Sequence, residues 1–204
     1  MTPPNAPPIS AVVLAAGSSR RFGEDRNKLL AEWRGRTLIE YVIDAATNAR
    51  MAGLVREVLV VSSADAPRVK SLAVASGCRT VHPPAESPMS ASVRTAVATI
   101  DHAAEGMLVL LGDQPMVTQA AIRAVLEAAA GSPQALVRAH YQGIADPISH
   151  PAYIGRYHFA RIHQLDGDKG LMARSDEFGL RWTEVWLEGD NPDIDHVRDL
   201  GRLP

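Results

Sequence analysis

A loop at residues 16–23 brings together the residue types that bind phosphate groups. Its sequence, AGSSRRFG, places a glycine and two serines at a chain turn and follows them with Arg20 and Arg21, and Lys28 stands five residues after Gly23. Small residues expose backbone N–H groups and the basic side chains add positive charge, so the loop can surround several phosphates. The spacing is neither that of a Walker A loop nor the G-x-G-x-x-G of dinucleotide-binding folds. A solvated, charged surface loop is the alternative.

An acidic side chain follows a second apolar segment. LVLLGDQP, residues 108–115, has the composition of a buried strand and ends in Gly112 and Asp113. Mg²⁺ that bridges phosphate oxygens is typically held by one or two carboxylates and water. The segment therefore predicts a site for a hard divalent cation, Mg²⁺ or alternatively Mn²⁺. The competing interpretation is a strand-ending turn in which Asp113 bonds its own backbone and Pro115 fixes the bend.

Two further carboxylates near the end of the chain have the spacing to point to the same side. Asp193 and Asp195 lie two residues apart in NPDIDHVRD, residues 191–199, and an extended segment points such residues to one side. Two adjacent carboxylates repel each other unless a cation lies between them. Asp195 as the cap of a final helix is an alternative that is compatible with this role.

The elements that must position these segments alternate between strand and helix. Apolar and β-branched runs predict strands at residues 9–15, 58–61, 79–82, 107–111, 135–139 and 183–187. Helical spacing predicts helices at 37–50, 67–76, 90–103, 118–130, 153–165 and 195–200. Regular alternation is typical of a doubly wound α/β fold, whose ligands bind outside the carboxyl ends of the strands. Both AGSSRRFG and GDQP fall at that edge.

Composition restricts the class of partner. The chain has 204 residues, a formal net charge of -2 and one cysteine, Cys78, so no overall basic field favours nucleic acid and no intrachain disulfide can form. The sequence has no apolar run long enough to span a membrane. We expect a cytoplasmic protein with no nucleic-acid or membrane partner. A proline-rich lead-in at 1–8 precedes one predicted domain at 9–204.

The two loops resemble the signature of nucleotidyltransferases. LAAGSSRRFG with Lys28 after it is similar to the L-A-A-G-x-G/S-x-R-M/F-G-x(n)-K motif of those enzymes. With GDQP, the chain most resembles the molybdenum-cofactor cytidylyltransferases, over residues 9 to about 200. The resemblance implies a three-layer, doubly wound α/β fold of the nucleotide-diphospho-sugar transferase type, with a mixed, mainly parallel sheet.

The resemblance also implies roles for individual residues. Arg21 and Lys28 neutralise phosphate charge and, with Asp113, form the expected catalytic set. Asp193 and Asp195 join Asp113 as metal ligands, although His196 and Val197 replace a threonine and a proline of the family motif. The expected nucleotide-binding residues are Leu14, Ala15, Ala16, Gly17, Ser18, Ser19, Arg20, Lys28, Ser90, Ser92 and Asp113.

Two looser motifs complete the resemblance. ESPMSASV, residues 86–93, is similar to a G-M-S-x-S-L segment in which serines at a helix N-terminus contact the nucleotide; Ser90 as a plain N-cap is the alternative. SHP at 149–151 and GDKG at 167–170 resemble a pair of motifs that faces the acceptor substrate, although Ser149 replaces a glycine; an ordinary loop histidine and an exposed turn are the alternatives. The expected acceptor-binding residues are Gln114, His150, Pro151, Gly167, Asp168 and Gly170.

By this resemblance the reaction transfers CMP from CTP to the phosphate of a molybdopterin-type acceptor and releases pyrophosphate. Three alternatives remain: guanylyl transfer to the same cofactor, cytidylyl transfer to another small phosphorylated acceptor such as methylerythritol phosphate, and a non-catalytic escort of molybdenum cofactor. The escort would deliver the cofactor to a molybdenum hydroxylase.

Overall fold

A seven-stranded mixed sheet forms the centre of the molecule. The computed structural model describes residues 7–17, 22, 27–85, 87–142 and 150–204. The strands are β1 Ile9–Ala15, β2 Glu32–Trp33, β3 Arg36–Thr37, β4 Glu57–Ser62, β5 Arg79–Val81, β6 Gly106–Leu111, β7 Leu136–Tyr141, β8 Ala152–Gly155 and β9 Thr183–Leu187. The main sheet has the order β5-β4-β1-β6-β8-β7-β9, and β2 pairs with β3 in a separate hairpin.

Helices cover both faces of this sheet. They are α1 Leu38–Met51, α2 Pro67–Ala75, α3 Met89–Thr99, α4 Gln119–Ala129, α5 Phe159–Ile162 and α6 Ser175–Phe178, with short 3-10 helices at Lys28–Leu30, Arg156–His158, Met172–Arg174 and Val197–Arg202. One apolar cluster packs α1, α2 and α4 against one face, and a second packs α3 and α5 against the other. Burial on both faces explains why the central strands are continuous apolar runs. The predicted three-layer arrangement is confirmed.

Local signals place the helix starts as the sequence predicts. Thr37 precedes α1 in a capping box in which the Glu40 carboxylate accepts from the Thr37 backbone N–H at 2.7 Å. Thr118 caps α4 by accepting from the backbone N–H of Ala121 at 3.1 Å. These bonds satisfy N–H groups that the first helical turn leaves without partners.

The predicted helix at 153–165 is wrong in its first part. Residues 152–155 form β8, which runs antiparallel between β6 and β7, and helix α5 spans four residues. Tyr153 is fully buried in this strand, opposite Leu108 and Val137. Insertion between two neighbours satisfies the backbone groups of β8 on both sides, and this tertiary pairing outweighs the local helical pattern.

Two other helix boundaries also differ. Helix α3 ends at Thr99 and not at residue 103, and the final helix is a 3-10 helix at Val197–Arg202. Its cap is His196, whose backbone N–H donates to the Asp199 carboxylate at 2.7 Å. Asp195 is therefore not the cap, which leaves its carboxylate available for the contacts described below.

The sheet brings several chain segments to one edge. β1 and β6 are adjacent and parallel, with Leu14 opposite Leu111, and the backbone N–H of Gly112 continues the ladder by donating to the Leu14 carbonyl at 2.9 Å. A Cβ on Gly112 would lie 3.2 Å from that carbonyl oxygen. Because β8 runs in the opposite direction, its first residues lie at the same edge. The turns after β1 and β6 thus meet the segment that precedes β8.

Among the described residues, no helix combines the length and the apolar character needed to cross a membrane. Residues 1–6 of the predicted lead-in lie outside the described residues, and the division into a lead-in and one domain stays a prediction.

Candidate active site at the carboxyl edge of the sheet

The centre of the candidate site is an ammonium group between two carboxylates. Lys28 Nζ lies 2.5 Å from Asp113 Oδ2 and 2.7 Å from Asp195 Oδ1. The three residues come from the 3-10 helix that follows the first loop, the turn after β6, and the segment near the end of the chain. Asn27 begins that 3-10 helix by accepting from the Leu29 backbone N–H at 3.0 Å. Of the predicted cationic residues, Lys28 therefore meets both acidic segments.

The charges around Lys28 hold it in the protonated form. Its side chain is 12% exposed, and burial by itself lowers the pKa of an ammonium group. The negative charges of Asp113 and Asp195, together with the hydrogen bonds that they accept, outweigh burial and raise the pKa of Lys28 above its usual value. Lys28 is consequently a fixed positive charge at physiological pH.

A backbone contact fastens the acidic segment to the turn after β6. The backbone N–H of Ile194 donates to the carbonyl of Asp113 at 3.1 Å, and the Ile194 side chain is fully buried in a small apolar cluster with Phe22 and Leu38. Asp193 and Asp195 flank this anchored residue. Asp195 thereby reaches Lys28 beside Asp113, whereas Asp193 bonds the Gln114 amide. The predicted roles of Asp193 and Asp195 as metal ligands stay predictions.

Asp193 occupies a more enclosed position than the other two aspartates. Its Oδ1 accepts a hydrogen bond from Gln114 Nε2 at 2.9 Å. Burial, with the negative charge of Asp113 as the next contribution, raises the pKa of Asp193 to about 6. In the absence of a divalent cation this carboxyl group therefore changes its charge close to neutral pH.

The raised pKa predicts a pH-dependent effect of Asp193→Asn on stability. An unfolded aspartate titrates near pH 4, so between about pH 4 and pH 6 the folded protein binds more protons than the unfolded chain. The stabilising contribution of protonated Asp193 is present at pH 4 and is lost as pH rises through 6. With EDTA present, we expect Asp193→Asn to raise the free energy of unfolding by about 2–3 kcal/mol at pH 8 and by almost nothing at pH 4.

Denaturant unfolding of both proteins at a series of pH values measures this difference. If the free energies of unfolding of the two proteins differ by the same amount at pH 4 and pH 8, burial does not raise the pKa of Asp193.

Buried amides and a histidine lie behind Asp193. Asn191 Nδ2 lies 3.3 Å from both Gln114 Oε1 and the carbonyl oxygen of His150. Burial lowers the pKa of His150 to about 4, so its imidazole is neutral. Pro151 accepts from the Ala139 backbone N–H at 2.9 Å through its carbonyl. The predicted acceptor residues Gln114 and His150 therefore adjoin the acidic segment, and Pro151 follows His150 immediately before β8.

The sequence interpretation missed Asn191. Asn191 is the first residue of the NPDIDHVRD segment that contains Asp193 and Asp195. An asparagine before a proline is an ordinary turn signal, so it did not indicate a site residue. Its burial, with 1% of the residue exposed, is a tertiary property.

The oxygen donors at this edge fit a divalent cation. Carboxylates are the ligands that Mg²⁺ and Mn²⁺ prefer, and the Lys28 ammonium shows that a cation sits favourably between Asp113 and Asp195. Within the described residues, no three His, Cys, Asp or Glu side chains converge as a complete metal-binding set. Mg²⁺ commonly uses one or two carboxylates with substrate phosphates and water as the remaining ligands, so two carboxylates suffice.

A second cluster forms at the N-terminus of α3. The backbone N–H of Met89 donates to Asp168 Oδ1 at 3.1 Å, and that of Ser90 donates to the Gly167 carbonyl at 3.2 Å. Ser90 is buried, and its hydroxyl accepts from Arg94 Nη1 at 3.2 Å. Pro88 is the N-cap, so Ser90 is not a plain N-cap.

These contacts join the predicted serine motif to the predicted GDKG motif. Ser92 is also buried, and Gly170 approaches the Met89 side chain, from which a Cβ at that position would lie 3.4 Å. The Asp168 carboxylate lies at the N-terminus of α3, where a negative charge is favourable. Nucleotide contacts by Ser90 and Ser92, and acceptor contacts by Gly167, Asp168 and Gly170, stay predictions.

The remaining predicted residues belong to the first loop. Leu14 and Ala15 end β1, and Ala16 and Gly17 follow at the carboxyl edge. The predicted phosphate-binding residues Ser18, Ser19, Arg20 and Arg21 lie outside the described residues, and their roles stay predictions.

Comparison with known proteins identifies the family. The model of the MobA-like NTP transferase domain matches residues 11–178, which include both loops, most of β1 and all of β6. The chain belongs to this family. The predicted resemblance to MobA-like nucleotidyltransferases is thereby confirmed as membership of this family.

Individual relatives of this MobA-like chain differ in what they are named for. It is 35% identical over 150 residues to the bifunctional protein GlmU of Sorangium cellulosum, an alignment that spans 69% of this chain and 30% of GlmU. A 56-residue segment is 43% identical to a probable molybdenum cofactor guanylyltransferase of Bacillus cereus, spanning 28% of this chain and 24% of that protein. The chain thus spans less than a third of the length of either curated relative.

A solved structure resembles the MobA-like chain over nearly its whole length. Rv0371C of Mycobacterium tuberculosis H37Rv, in complex with manganese, superposes with a TM-score of 0.77 and 27% identity over 96% of this chain and 97% of the other. The likeness agrees with the predicted nucleotide-diphospho-sugar transferase type of fold.

Proposed function

We propose that the chain transfers a nucleotidyl group from a nucleoside triphosphate to a phosphorylated acceptor, with CTP as the donor and a molybdopterin-type phosphate as the acceptor. The observation that supports this most directly is the placement of Lys28 between Asp113 and Asp195 at the carboxyl edge of the sheet. The site combines a long basic side chain, which can bind phosphate oxygens, with carboxylates, which can bind a metal ion. Enzymes that transfer metal-bound phosphoryl groups use both.

Charge repulsion defines what this site must do. An anionic acceptor phosphate has to approach an anionic triphosphate before the acceptor oxygen attacks the α-phosphorus. A bound Mg²⁺ or Mn²⁺ would screen this repulsion and polarise the phosphate oxygens. We assign its binding to Asp113, with Asp193 and Asp195 as the neighbouring carboxylates. Without a cation, these carboxylates would repel both anionic substrates.

Positive groups of the chain stabilise the departing pyrophosphate. The acceptor oxygen forms a bond to the α-phosphorus as the bond to the bridging oxygen breaks, and the electron pair leaves on pyrophosphate. We propose that Lys28 and Arg21, with the N–H groups around Gly17, hold that developing charge. Fixed dipoles and charges already in place need no reorganisation as the charge develops.

The acceptor lies on the side of the site formed by the segment before β8. His150 is neutral because burial lowers its pKa to about 4, so it can contact an acceptor through hydrogen bonds without adding charge. We propose that His150 and Pro151, with Gln114 behind them, form one wall of the acceptor site, and that Gly167, Asp168 and Gly170 form the other. A molybdenum hydroxylase would be the protein that receives the product in the cytoplasm.

Guanylyl transfer to the same acceptor is the second candidate, because one relative is named as a molybdenum cofactor guanylyltransferase. The test is incubation with each of the four NTPs and Mg²⁺ or Mn²⁺, with either molybdopterin cofactor or methylerythritol phosphate as the acceptor. Pyrophosphate is the measured product, and binding of molybdopterin is measured in parallel. We expect CTP to give at least about tenfold higher kcat/KM than GTP, a difference of about 1.4 kcal/mol in the barrier.

Each other outcome of this assay has a defined meaning. Faster turnover with GTP than with CTP would contradict cytidylyl transfer and support guanylyl transfer. Pyrophosphate release with methylerythritol phosphate but not with molybdopterin would contradict the molybdopterin acceptor and support a different phosphorylated acceptor. Tight binding of molybdopterin without pyrophosphate release from any NTP would overturn the enzyme and support the escort.

A further inference from the structure

We propose that Asn191 is a positioning residue that sets the orientation of the Gln114 amide and, through it, holds the Asp193 carboxylate in the site. The three side chains form a relay: the Asn191 side-chain N–H donates to Gln114 Oε1 at 3.3 Å, and Gln114 Nε2 donates to Asp193 Oδ1 at 2.9 Å. Asn191 and Asp193 act on each other through Gln114.

The main chain holds the middle of this relay in place. The backbone N–H of Gln114 donates to the Leu111 carbonyl at 3.2 Å, and the backbone carbonyl of Gln114 accepts from the Val117 N–H at 3.4 Å. Gln114 is 4% exposed. With the main chain held, the remaining choice is the orientation of the terminal amide, which can turn so that its oxygen and its nitrogen exchange positions.

The neighbours of Gln114 decide between these two orientations. An ionised carboxylate only accepts hydrogen bonds, so Asp193 requires the Gln114 nitrogen on its side. That choice directs the Gln114 oxygen to Asn191, where it needs a donor. Asn191 presents its NH₂ group, and the same group lies 3.3 Å from the His150 carbonyl oxygen. The His150 contact fixes which end of Asn191 faces Gln114.

The relay links two segments that the proposed reaction uses. It connects the start of β8, on the acceptor side, to the acidic segment beside Lys28. The consequence for catalysis rests on the proposed function, because a held Asp193 matters to turnover only if it belongs to the metal site. The orientation of Gln114 itself does not depend on any reaction, so unfolding measurements test it independently.

Reversing the polarity of the relay tests the proposal. Asn191→Asp replaces the donor with an acceptor, so the Gln114 amide must turn and present its oxygen to Asp193. At pH 8 with EDTA, we expect the unfolding equilibrium constant to rise at least about tenfold, as for a disrupted buried hydrogen-bond network. Adding Asp193→Asn supplies an N–H to the turned Gln114 oxygen. This double variant should recover most of the loss, beyond what Asp193→Asn gives by itself.

A Gln114→Leu background separates the relay from simple charge repulsion. Replacing Asp193 also removes a negative charge close to the introduced carboxylate, and that relief does not need Gln114. We expect the recovery with Gln114 present to exceed the recovery in the Gln114→Leu background by at least about fivefold in the unfolding equilibrium constant. Equal recovery in both backgrounds, or no destabilisation by Asn191→Asp, would overturn the proposal.

A milder variant covers the case in which Asn191→Asp does not fold. Asn191→Ala removes the donor without adding charge, and leaves the Gln114 amide with one partner. We expect hydrogen exchange of the Gln114 side-chain amide protons, measured by NMR, to accelerate at least about tenfold relative to the unchanged protein. Unchanged exchange would show that Asn191 does not hold Gln114, whether or not the protein transfers nucleotides.

Discussion

Asp113→Asn is expected to lower kcat for pyrophosphate release by at least about a hundredfold while leaving the fold intact. The asparagine keeps an oxygen that can accept from Lys28, at present 2.5 Å from the Asp113 carboxylate. It removes the negative charge that we assign to binding the divalent cation. The expected loss is therefore mainly in the chemical step, and the free energy of unfolding should change by no more than about 1 kcal/mol.

A matched aspartate provides the control. Asp44 on α1 also forms an ion pair, with Arg36 Nη2 at 2.6 Å, but it is about half exposed and lies outside the candidate site. Asp44→Asn should retain wild-type turnover, because exposed ion pairs contribute little to stability. Turnover of Asp113→Asn close to that of Asp44→Asn would remove Asp113 from the metal site and, with it, the central assignment of the proposed mechanism.

Lys28→Met is expected to destabilise the protein by about 2 kcal/mol when no divalent cation is present. The methionine fills a similar volume but leaves Asp113 and Asp195 without the ammonium that now lies 2.5 and 2.7 Å from them. Both carboxylates are partly exposed, which reduces the penalty below that of a fully buried pair. Repulsion between them should lower the denaturant midpoint.

The same variant tests whether these carboxylates accept a divalent cation. Replacing Lys28 removes the ammonium that competes with Mn²⁺ for Asp113 and Asp195. Binding of Mn²⁺ to the folded state raises its stability. We expect Mn²⁺ to recover more stability in Lys28→Met than it adds to the unchanged protein, as measured by thermal unfolding with and without Mn²⁺. Lys70→Met, at an exposed lysine of α2, is the control and should show neither effect. Equal Mn²⁺ stabilisation of all three proteins would contradict the assignment.

Most of the fold follows from patterns within short segments. The apolar run at Ile9–Ala15 and the helical spacing after Thr37 both predict elements that the structure contains. Parallel alternation then places the turns after β1 and β6 at one edge. The strand β8 could not be predicted in this way, because its residues have helical spacing and become a strand only through pairing with β6 and β7.

The candidate site divides along the same line. The glycine turn, the basic residues after it and the aspartate of GDQP are identifiable from the sequence, because each depends on a strand end and a few following residues. Asp193 and Asp195 stand out only by resemblance and spacing. Asn191 carries no signal of its own, since its importance depends on burial and on contacts with His150 and Gln114.

By itself, the sequence determined the family, the alternation of strands and helices, and the two loops at the carboxyl edge, because backbone conformation and burial follow from local residue types. Only the tertiary structure decided that Lys28 lies between Asp113 and Asp195, 167 residues away from the latter. The same holds for the enclosure that raises the pKa of Asp193. Both depend on chain segments distant in sequence, whose side-chain distances and solvent access arise only when the sheet is assembled.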